Sequence, residues 1–437
     1  MTPTFHITTL GCKVNQYESE AIAQKLREAG LKDSENDVAD VYVINTCTVT
    51  GESDRKCGQM IRKVIKKNKD AAVLVVGCFS QVSPESVAKL TGVDYVGGSS
   101  DKLAVVGEAL EVLKNGKRIS PRVAVSSLEN AKFENISINE FGRTRAYIKI
   151  EDGCNNKCAY CIIPTARGRV RSKSPSDIID EVNALYDGGC REIVLTGIET
   201  DAYGLDLDGY RLSDLVEDIC SKTKIERIRF GSLDPTLFTD SFISKVCTNP
   251  KILPHFHISM QSGCSRTLAS MRRRYNAKMA HETLSRIRKS CPAVHFSADF
   301  IVGFPSESDA DFEETLNFIK NEKFITLHVF QYSKRKGTEA AAMDSQIDPE
   351  IKKSRSETLI STQKEIRRGI FSQMIGTSVP LLTERIQTDT NGELFALGHS
   401  PSFIQMKVKL NKGHDKNDII CARVTSFDDD TLFGEEI

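Results

Sequence analysis

Several features that would place a 437-residue chain in a simple class are missing from this sequence. It contains no tryptophan, and aromatic residues make up only 7% of it. Its 59 basic and 59 acidic side chains leave no net charge, which argues against a protein that coats nucleic acid by bulk positive charge. Its 28 glycines and 13 prolines are too few for a collagen-like or low-complexity chain. The composition is that of a globular protein of about three domains.

Long hydrophobic runs are missing as well. The longest, such as residues 71–76, are no longer than a strand, whereas a membrane helix needs about 20 apolar residues. The first residues show no basic segment followed by an apolar one, as a secretion signal would. The chain also holds 13 cysteines, an odd number that argues against a disulfide framework. We therefore expect a soluble cytoplasmic protein, with no membrane association, whose cysteines bind metal or pack as small core residues.

The hydrophobic pattern predicts an α/β fold in three parts. In residues 1–115, short β-branched runs at 5–10, 41–45, 73–77 and 93–97 alternate with helical patterns, which predicts a Rossmann-like parallel sheet domain. We expect a linker over 116–142. Six strand and helix repeats over 143–372 predict a partial (β/α)6 TIM-like barrel. Five short strands over 373–437 predict a small antiparallel β-barrel.

A compact cysteine motif follows the first predicted barrel strand. Cys154, Cys158 and Cys161 have a spacing that lets three thiolates surround one 4Fe–4S cluster. Zinc and simple core packing are the alternatives, but zinc normally takes four ligands, and neither a histidine nor a fourth cysteine is near. Because three ligands leave one iron open, the motif favours a cluster that binds a substrate or cofactor.

Three further cysteines each follow a predicted strand of the N-terminal sheet. Cys12, Cys47 and Cys78 are separated by 35 and 31 residues, about one βαβ unit each. Carboxyl ends of parallel strands lie at the same edge of a sheet, so these cysteines are expected to converge there. They predict a second three-cysteine cluster; reactive or core cysteines at loop starts are the alternative. The other seven cysteines form no ligand pattern.

Longer motifs carry a resemblance to a known family. The segments TLGCKVNQYES, INTCTVT, VVGCFSQ, GCNNKCAYCIIPTARGRVRSKSP, ISMQSGCSRTLASMRRRYN and DFIVGFPSESDADFEET resemble the radical S-adenosylmethionine (SAM) methylthiotransferases. The match runs from about residue 4 to about residue 345, and a TRAM-like barrel follows. VNQYES, NTCTVT and YSKRKGT resemble the MtaB-type branch, which acts on threonylcarbamoyladenosine in tRNA.

The resemblance implies a radical SAM enzyme with two 4Fe–4S clusters. It implies that the cluster on Cys154, Cys158 and Cys161 binds and cleaves SAM, and that the auxiliary cluster on Cys12, Cys47 and Cys78 carries the sulfur that a second SAM methylates. The methylthio group would be added to C2 of N6-threonylcarbamoyladenosine at tRNA position 37. Candidate SAM contacts, carried over from the family's motifs, are Thr196, Gly197, Glu199, Ser259, Gln261, Asp299 and Val302.

Basic residues predict an RNA-binding face despite the neutral total. They lie at or beyond strand ends, where barrel active sites form. The candidates are Arg167, Arg169, Arg171, Arg272, Arg273, Arg274, Lys334 and Arg335, with Phe403 and Lys407 in the C-terminal barrel. A solvated charged surface is the alternative for each run, and an ordinary core or surface role is the alternative for Phe403.

The resemblance further implies the anticodon stem-loop of tRNA as substrate and an electron donor such as flavodoxin or ferredoxin. We expect a monomer. Within the family, isopentenyladenosine in tRNA and a ribosomal-protein aspartate remain alternative substrates. A non-catalytic iron–sulfur protein that binds RNA or acts as a sensor is the alternative from another class; two clusters with open irons disfavour it.

Overall fold

A computed structural model describes residues 2–437, and its N-terminal part is a parallel sheet. The sheet order is β2-β1-β3-β4-β5-β6. The strands are β1 (Thr4–Thr9), β2 (Lys32–Asp33), β3 (Val41–Thr46), β4 (Ala72–Gly77), β5 (Tyr95–Gly97) and β6 (Arg122–Ala124). The helices are α1 (Lys13–Glu28), α2 (Gly51–Lys67), α3 (Cys78–Val82), α4 (Pro84–Ala88) and α5 (Ala104–Asn115).

The central strands of this sheet are apolar on both faces because helices cover both. Every residue of β3 and β4 is buried. Val41 and Val43 pack in one core with α1 and α5, whereas Tyr42 and Ile44 pack in another with α2 and α4. Alternate side chains of one strand therefore enter opposite layers, as the period of a strand requires.

One boundary differs from the sequence-based expectation. Residues 122–124 were expected in a linker, but they form β6, which pairs in parallel with β5. All three residues of β6 are exposed. An exposed edge strand lacks the hydrophobic signal that identifies a buried one, so its pattern could not be recognised.

The central part is the expected partial barrel. Its strands are β7 (Arg145–Lys149), β8 (Glu151–Asp152), β9 (Arg171–Ser172), β10 (Glu192–Thr196), β11 (Arg227–Phe230), β12 (Ser232–Leu233), β13 (His255–Gln261), β14 (His295–Val302) and β15 (Thr326–Gln331). Two parallel sheets, β11-β10-β7 and β12-β13-β14-β15, make up the barrel wall, and β8 pairs with β9 outside it. Only Gly231 separates β11 from β12, so the wall has six strand positions.

Helices follow the barrel strands and bury a shared core. They are α6 (Ile163–Arg167), α7 (Pro175–Asp187), α8 (Leu212–Lys222), α9 (Asp240–Phe242), which continues as a π-helical turn over Ile243–Cys247, α10 (Ser265–Ser270), α11 (Ala277–Ser290), α12 (Asp309–Glu322) and α13 (Pro349–Met374). Among the described residues, no helix is both long and apolar enough to cross a membrane.

The C-terminal part is a closed five-stranded barrel in the order β16-β17-β18-β20-β19. Its strands are β16 (Ser378–Thr388), β17 (Leu394–His399), β18 (Gln405–Lys409), β19 (Ile419–Phe427) and β20 (Thr431–Glu436). The expected barrel is confirmed, but it is not wholly antiparallel, because β18 and β20 pair in parallel. A closed ring with an odd number of strands cannot alternate direction throughout, so one parallel pairing is unavoidable.

Candidate active site

The first cysteine group lies at one edge of the N-terminal sheet. Cys12, Cys47 and Cys78 come one to three residues after β1, β3 and β4, which are neighbours in the sheet. The register pairs Thr9 with Asn45 and Thr46 with Gly77, so the three strands end at the same level. The predicted convergence of these strand ends is therefore present in the fold.

Polar side chains connect two members of this group, Cys12 and Cys78. The Cys12 thiol donates to Asn15 Oδ1 at 3.2 Å, and Arg167 Nη2 reaches the same oxygen at 3.4 Å. Arg167 Nε lies 3.1 Å from Cys78 Sγ. A single guanidinium from the barrel domain thus links two cysteines of the N-terminal domain. Cys57 stands apart, since its buried thiol donates to the Cys47 carbonyl.

The second cysteine group occupies the loop after β7 and β8. The Cys161 amide donates to the Cys158 carbonyl at 3.0 Å, which folds the loop into a turn. Amides of Asn156 and Ile163 point at Cys154 Sγ and Cys161 Sγ, each at 3.4 Å. Backbone donors aimed at sulfur are typical of the surroundings of an iron–sulfur cluster.

Charged side chains surround this loop. Arg273 Nη1 donates to Cys158 Sγ at 3.3 Å, while its Nη2 binds Asp234 at 2.7 Å. Glu199 accepts a hydrogen bond from the Cys154 thiol at 3.0 Å and pairs with Arg274 at 3.1 Å. A cavity of about 480 Å³, lined in part by Cys154, opens beside the loop.

The donor sets fit iron–sulfur clusters. Each group offers three thiols, and the described residues contain no disulfide. Burial raises the pKa of Cys47 and of Cys161 to about 11, and it also raises that of Cys154. Cluster binding must therefore displace protons from these thiols. The arginines beside Cys78 and Cys158 supply positive charge where a thiolate would form.

A buried ion network connects α1 with β7, β8 and α6, and nothing in the sequence pattern predicted it. Glu18 on α1 is fully buried and pairs with Lys102, with Lys149 at 2.8 Å and with Arg167 at 2.6 Å. Lys149 also binds Asp152 at 2.6 Å. These pairs hold the pKa of the Glu18 carboxyl well below its usual range, although burial opposes them. Helical periodicity alone does not reveal a buried charge whose partner is distant in the sequence.

The predicted SAM residues lie at strand ends of one barrel. Thr196 ends β10, and Glu199 follows it beside Cys154. Ser259 and Gln261 end β13, where a bulge shifts the register and Gln261 takes a φ of 63°. Gly197 approaches Glu151 so closely that a Cβ would lie 2.5 Å from its Oε2. Their contact with SAM stays a prediction.

Two of the predicted SAM residues lie apart from this group. Asp299 is hydrogen-bonded to His257 and His328, each at 3.1 Å. Val302 is 1% exposed at the end of β14. Neither His257 nor His328 was identified from the sequence. The His255-x-His257 alternation was a signal only that His255 and His257 share one face of β13.

Four of the predicted RNA contacts have side chains that are largely buried and held in ion pairs, which argues against direct contact with RNA. Arg167 is fully buried and ends α6, so it is not in an extended segment with Arg169 and Arg171. The other three and their partners are Arg171 with Asp152 at 2.9 Å, Arg273 with Asp234 at 2.7 Å and Arg335 with Asp54 at 2.6 Å. Arg169, Arg272, Arg274 and Lys334 are exposed, as an RNA contact requires.

Phe403 and Lys407, the two candidate RNA contacts in the C-terminal barrel, contact other side chains of the protein. Phe403 stacks on His399 with a ring separation of 4.6 Å, and the guanidiniums of Arg145 and Arg229 lie over its ring at 5.3 and 5.0 Å. Its ring thus joins the C-terminal barrel to β7 and β11. The Lys407 ammonium lies 4.3 Å from the Phe395 ring. Neither contact was visible in the sequence, and RNA binding by these two residues stays a prediction.

Comparison with known proteins agrees with this architecture. Residues 4–98 match a family described as Uncharacterized protein family UPF0004, and residues 148–319 match the radical SAM superfamily. Among solved structures, the radical SAM methyltransferase TsrM from Kitasatospora setae has a TM-score of 0.54 at 12% identity, covering 78% of this chain and 77% of that one. At this identity, the likeness concerns the fold alone.

Relatives of known name match nearly the whole chain. The threonylcarbamoyladenosine tRNA methylthiotransferase MtaB of Bacillus subtilis is 39% identical, covering 93% of this chain and 90% of the relative. The corresponding MtaB of Thermotoga maritima is 36% identical, covering 87% and 86%. The tRNA-2-methylthio-N(6)-dimethylallyladenosine synthase of Moorella thermoacetica is 34% identical, covering 87% of each chain. The chain therefore belongs to the radical SAM tRNA methylthiotransferase family.

Proposed function

We propose that this enzyme adds a methylthio group to C2 of N6-threonylcarbamoyladenosine in the anticodon stem-loop of tRNA. One observation carries the proposal: two separate three-cysteine groups, each with an arginine that donates a hydrogen bond to one of its sulfurs. Relatives with the threonylcarbamoyladenosine name include one that is 39% identical over 93% of the chain.

We propose a division of labour between the two groups. Membership of the radical SAM superfamily implies a 4Fe–4S cluster and SAM. We assign that cluster to Cys154, Cys158 and Cys161, and an auxiliary cluster to Cys12, Cys47 and Cys78. When bound, the clusters and SAM supply radical chemistry, sulfur and a methyl group, which amino acid side chains do not provide.

The chain's own residues would position these groups. Glu199 lies beside Cys154 with a carboxylate that suits the amino group of SAM. Arg273 donates to Cys158 and is itself fixed by Asp234, so its guanidinium direction is set. Arg167 does the same for Cys78 through Glu18. Buried ion pairs of this kind fix the orientation of the arginine side chains, because neither charged partner has an alternative partner inside the protein.

The substrate would approach over exposed basic residues. Arg169 follows the cysteine loop, Arg272 and Arg274 follow α10, and Lys334 follows β15. These positions flank the strand ends that carry both cysteine groups. We also propose an electron donor of the flavodoxin or ferredoxin type, action as a monomer and a cytoplasmic site of action.

The second candidate substrate is dimethylallyladenosine, because a relative with that name is 34% identical over 87% of the chain. Incubating the reconstituted enzyme with SAM, a reductant and stem-loops carrying either nucleoside separates the two. Mass spectrometry of the digested RNA should show a methylthio product from threonylcarbamoyladenosine. A product from dimethylallyladenosine alone would contradict the proposal, as would modification of a ribosomal-protein aspartate with neither RNA modified.

A further inference from the structure

A cavity of about 260 Å³ occupies the interior of the central barrel. Side chains of β7, β13, β14 and β15 form its wall, and Phe403 of the C-terminal barrel borders it. We call it the lumen cavity and define it by Lys13, Tyr147, His257, Ser297, His328 and Phe403. Lys13 directly follows Cys12, so the lumen cavity adjoins the auxiliary cysteine group.

The Asp299 carboxylate beside the lumen cavity already has two hydrogen-bond partners. Asp299 Oδ1 is 3.1 Å from both His257 Nε2 and His328 Nδ1. His257 Nδ1 is in turn 2.8 Å from Ser297 Oγ. The two imidazoles lower the pKa of Asp299 against the effect of burial. Asp299 is therefore already paired with two imidazoles.

The arginines that line the cavity are paired with acidic side chains, whereas Lys13 is not. Arg145 and Arg229 each bind Glu192 at 2.7 Å, and Arg367 binds Asp430. Within the described residues 2–437, Lys13 has no carboxylate within 4.0 Å and no hydrogen-bond partner for its ammonium. A half-buried cation without a partner is a place where an anionic ligand gains most.

We propose that the lumen cavity receives the substituent on N6 of the substrate adenine and that Lys13 binds its carboxylate. This inference rests on the proposed function and names the feature of the substrate that is recognised. Lys13 would then select the anionic threonylcarbamoyl group over the uncharged dimethylallyl group.

The chemistry of adenine supports this placement. C2, which gains the sulfur, and C6, which bears N6, flank the same ring nitrogen, so a group on N6 lies beside the reacting carbon. The residue next to Cys12 is therefore well placed to reach that group. A dimethylallyl group would leave the Lys13 ammonium desolvated and unpaired, and a site built for a charged partner rejects such an analogue strongly.

The test compares two stem-loops that differ in one charge: the threonylcarbamoyl form and its carboxamide analogue. For the wild-type enzyme, kcat/KM should be at least about tenfold higher on the carboxylate, as expected for the loss of one charge-assisted hydrogen bond. Lys13→Met should abolish this preference while its iron content and 5′-deoxyadenosine release stay unchanged. Lys56→Met, which removes an exposed lysine of α2, should keep the preference.

The remaining outcomes distinguish failure of this inference from failure of the proposed function. A wild-type enzyme that modifies both stem-loops equally well overturns this inference but not the proposed function. An equal loss on both stem-loops in Lys13→Met means that Lys13 serves the auxiliary cluster, which also overturns it. Failure of the wild-type enzyme on every threonylcarbamoyl stem-loop, with activity on dimethylallyladenosine, overturns the proposed function itself.

Discussion

At the scale of single residues, two arginines define the surroundings of the cysteine groups. Arg167 donates to Cys78 and Arg273 to Cys158, and acidic partners fix both. Hydrogen bonds and positive charge near sulfur favour the more negative, reduced form of an iron–sulfur cluster. These residues are positioning residues, and their effects are measurable apart from catalysis.

Replacing Arg273 by glutamine should make the reduction potential of the radical SAM cluster more negative, because the reduced cluster loses a cationic donor. A redox titration followed by electron paramagnetic resonance measures this shift. Arg272→Gln is the matched control, since Arg272 is exposed and pairs with Glu339 instead. Equal potentials in the wild type and Arg273→Gln would reject the role.

Replacing Arg167 by methionine should lower the free energy of unfolding by about 3–5 kcal/mol, because Glu18 loses a partner in a buried network. The variant should also retain less iron at the auxiliary cluster. Chemical denaturation and iron analysis give the two readouts. Arg169→Met, two residues away and exposed, should change stability by less than about 0.5 kcal/mol. A stable Arg167→Met protein would show that the network does not depend on this arginine.

At the scale of elements, glycines set the turns that present the cysteines. Gly11, Gly77 and Gly153 each precede a cysteine and have φ values of 124°, 109° and 90°. A Cβ at Gly77 would lie 2.6 Å from the Thr46 carbonyl oxygen, and one at Gly153 would lie 1.9 Å from that of Arg169. Positive φ and close backbone approach both require glycine here.

Gly77→Ala should therefore destabilise the N-terminal domain by more than about 1 kcal/mol and reduce iron loading at Cys78. Gly107→Ala is the control: Gly107 is an exposed position of α5, no atom lies within 4 Å of the added Cβ, and the substitution should stabilise by about 0.5–1 kcal/mol. Thermal unfolding of the two variants measures the difference. Equal melting temperatures would contradict the requirement for glycine at position 77.

The elements also show what a sequence can predict. Strands such as β3 and β4 were predictable because they are continuously apolar, and their cysteines were predictable because parallel strands end at one edge. The exposed strand β6 and the burial of Arg167 were not predictable, because the local sequence pattern does not reveal contacts with residues distant in the sequence. Lys13 and His328 were not predicted for the same reason, because they come to line one cavity only when the barrel folds.

At the scale of the whole molecule, neutrality conceals an uneven arrangement of charge. Of the basic residues clustered between Arg143 and Lys173, most are buried in ion pairs and contribute no free surface charge. The RNA-binding face that we propose therefore rests on fewer residues than the sequence indicated. Its exposed candidates are Arg169, Arg272, Arg274 and Lys334, and Arg169, Arg272 and Lys334 lie on three different loops.

Replacing these three by alanine should weaken tRNA binding and reduce the slope of log affinity against log salt by about one unit for each lost phosphate contact. Filter binding at several salt concentrations measures the slope. Lys278→Ala, at an exposed position of α11, should leave the slope unchanged. An unaltered slope in the triple variant would place the RNA on another surface.

Two cluster sites with separate tasks are central to the proposed function. The most direct test measures iron content together with 5′-deoxyadenosine release in a variant with Cys12, Cys47 and Cys78 all changed to alanine. The wild type should hold about eight irons per chain and the variant about four. The variant should still release 5′-deoxyadenosine from SAM but form no methylthio nucleoside. Unchanged iron content, or continued methylthiolation, would contradict the account.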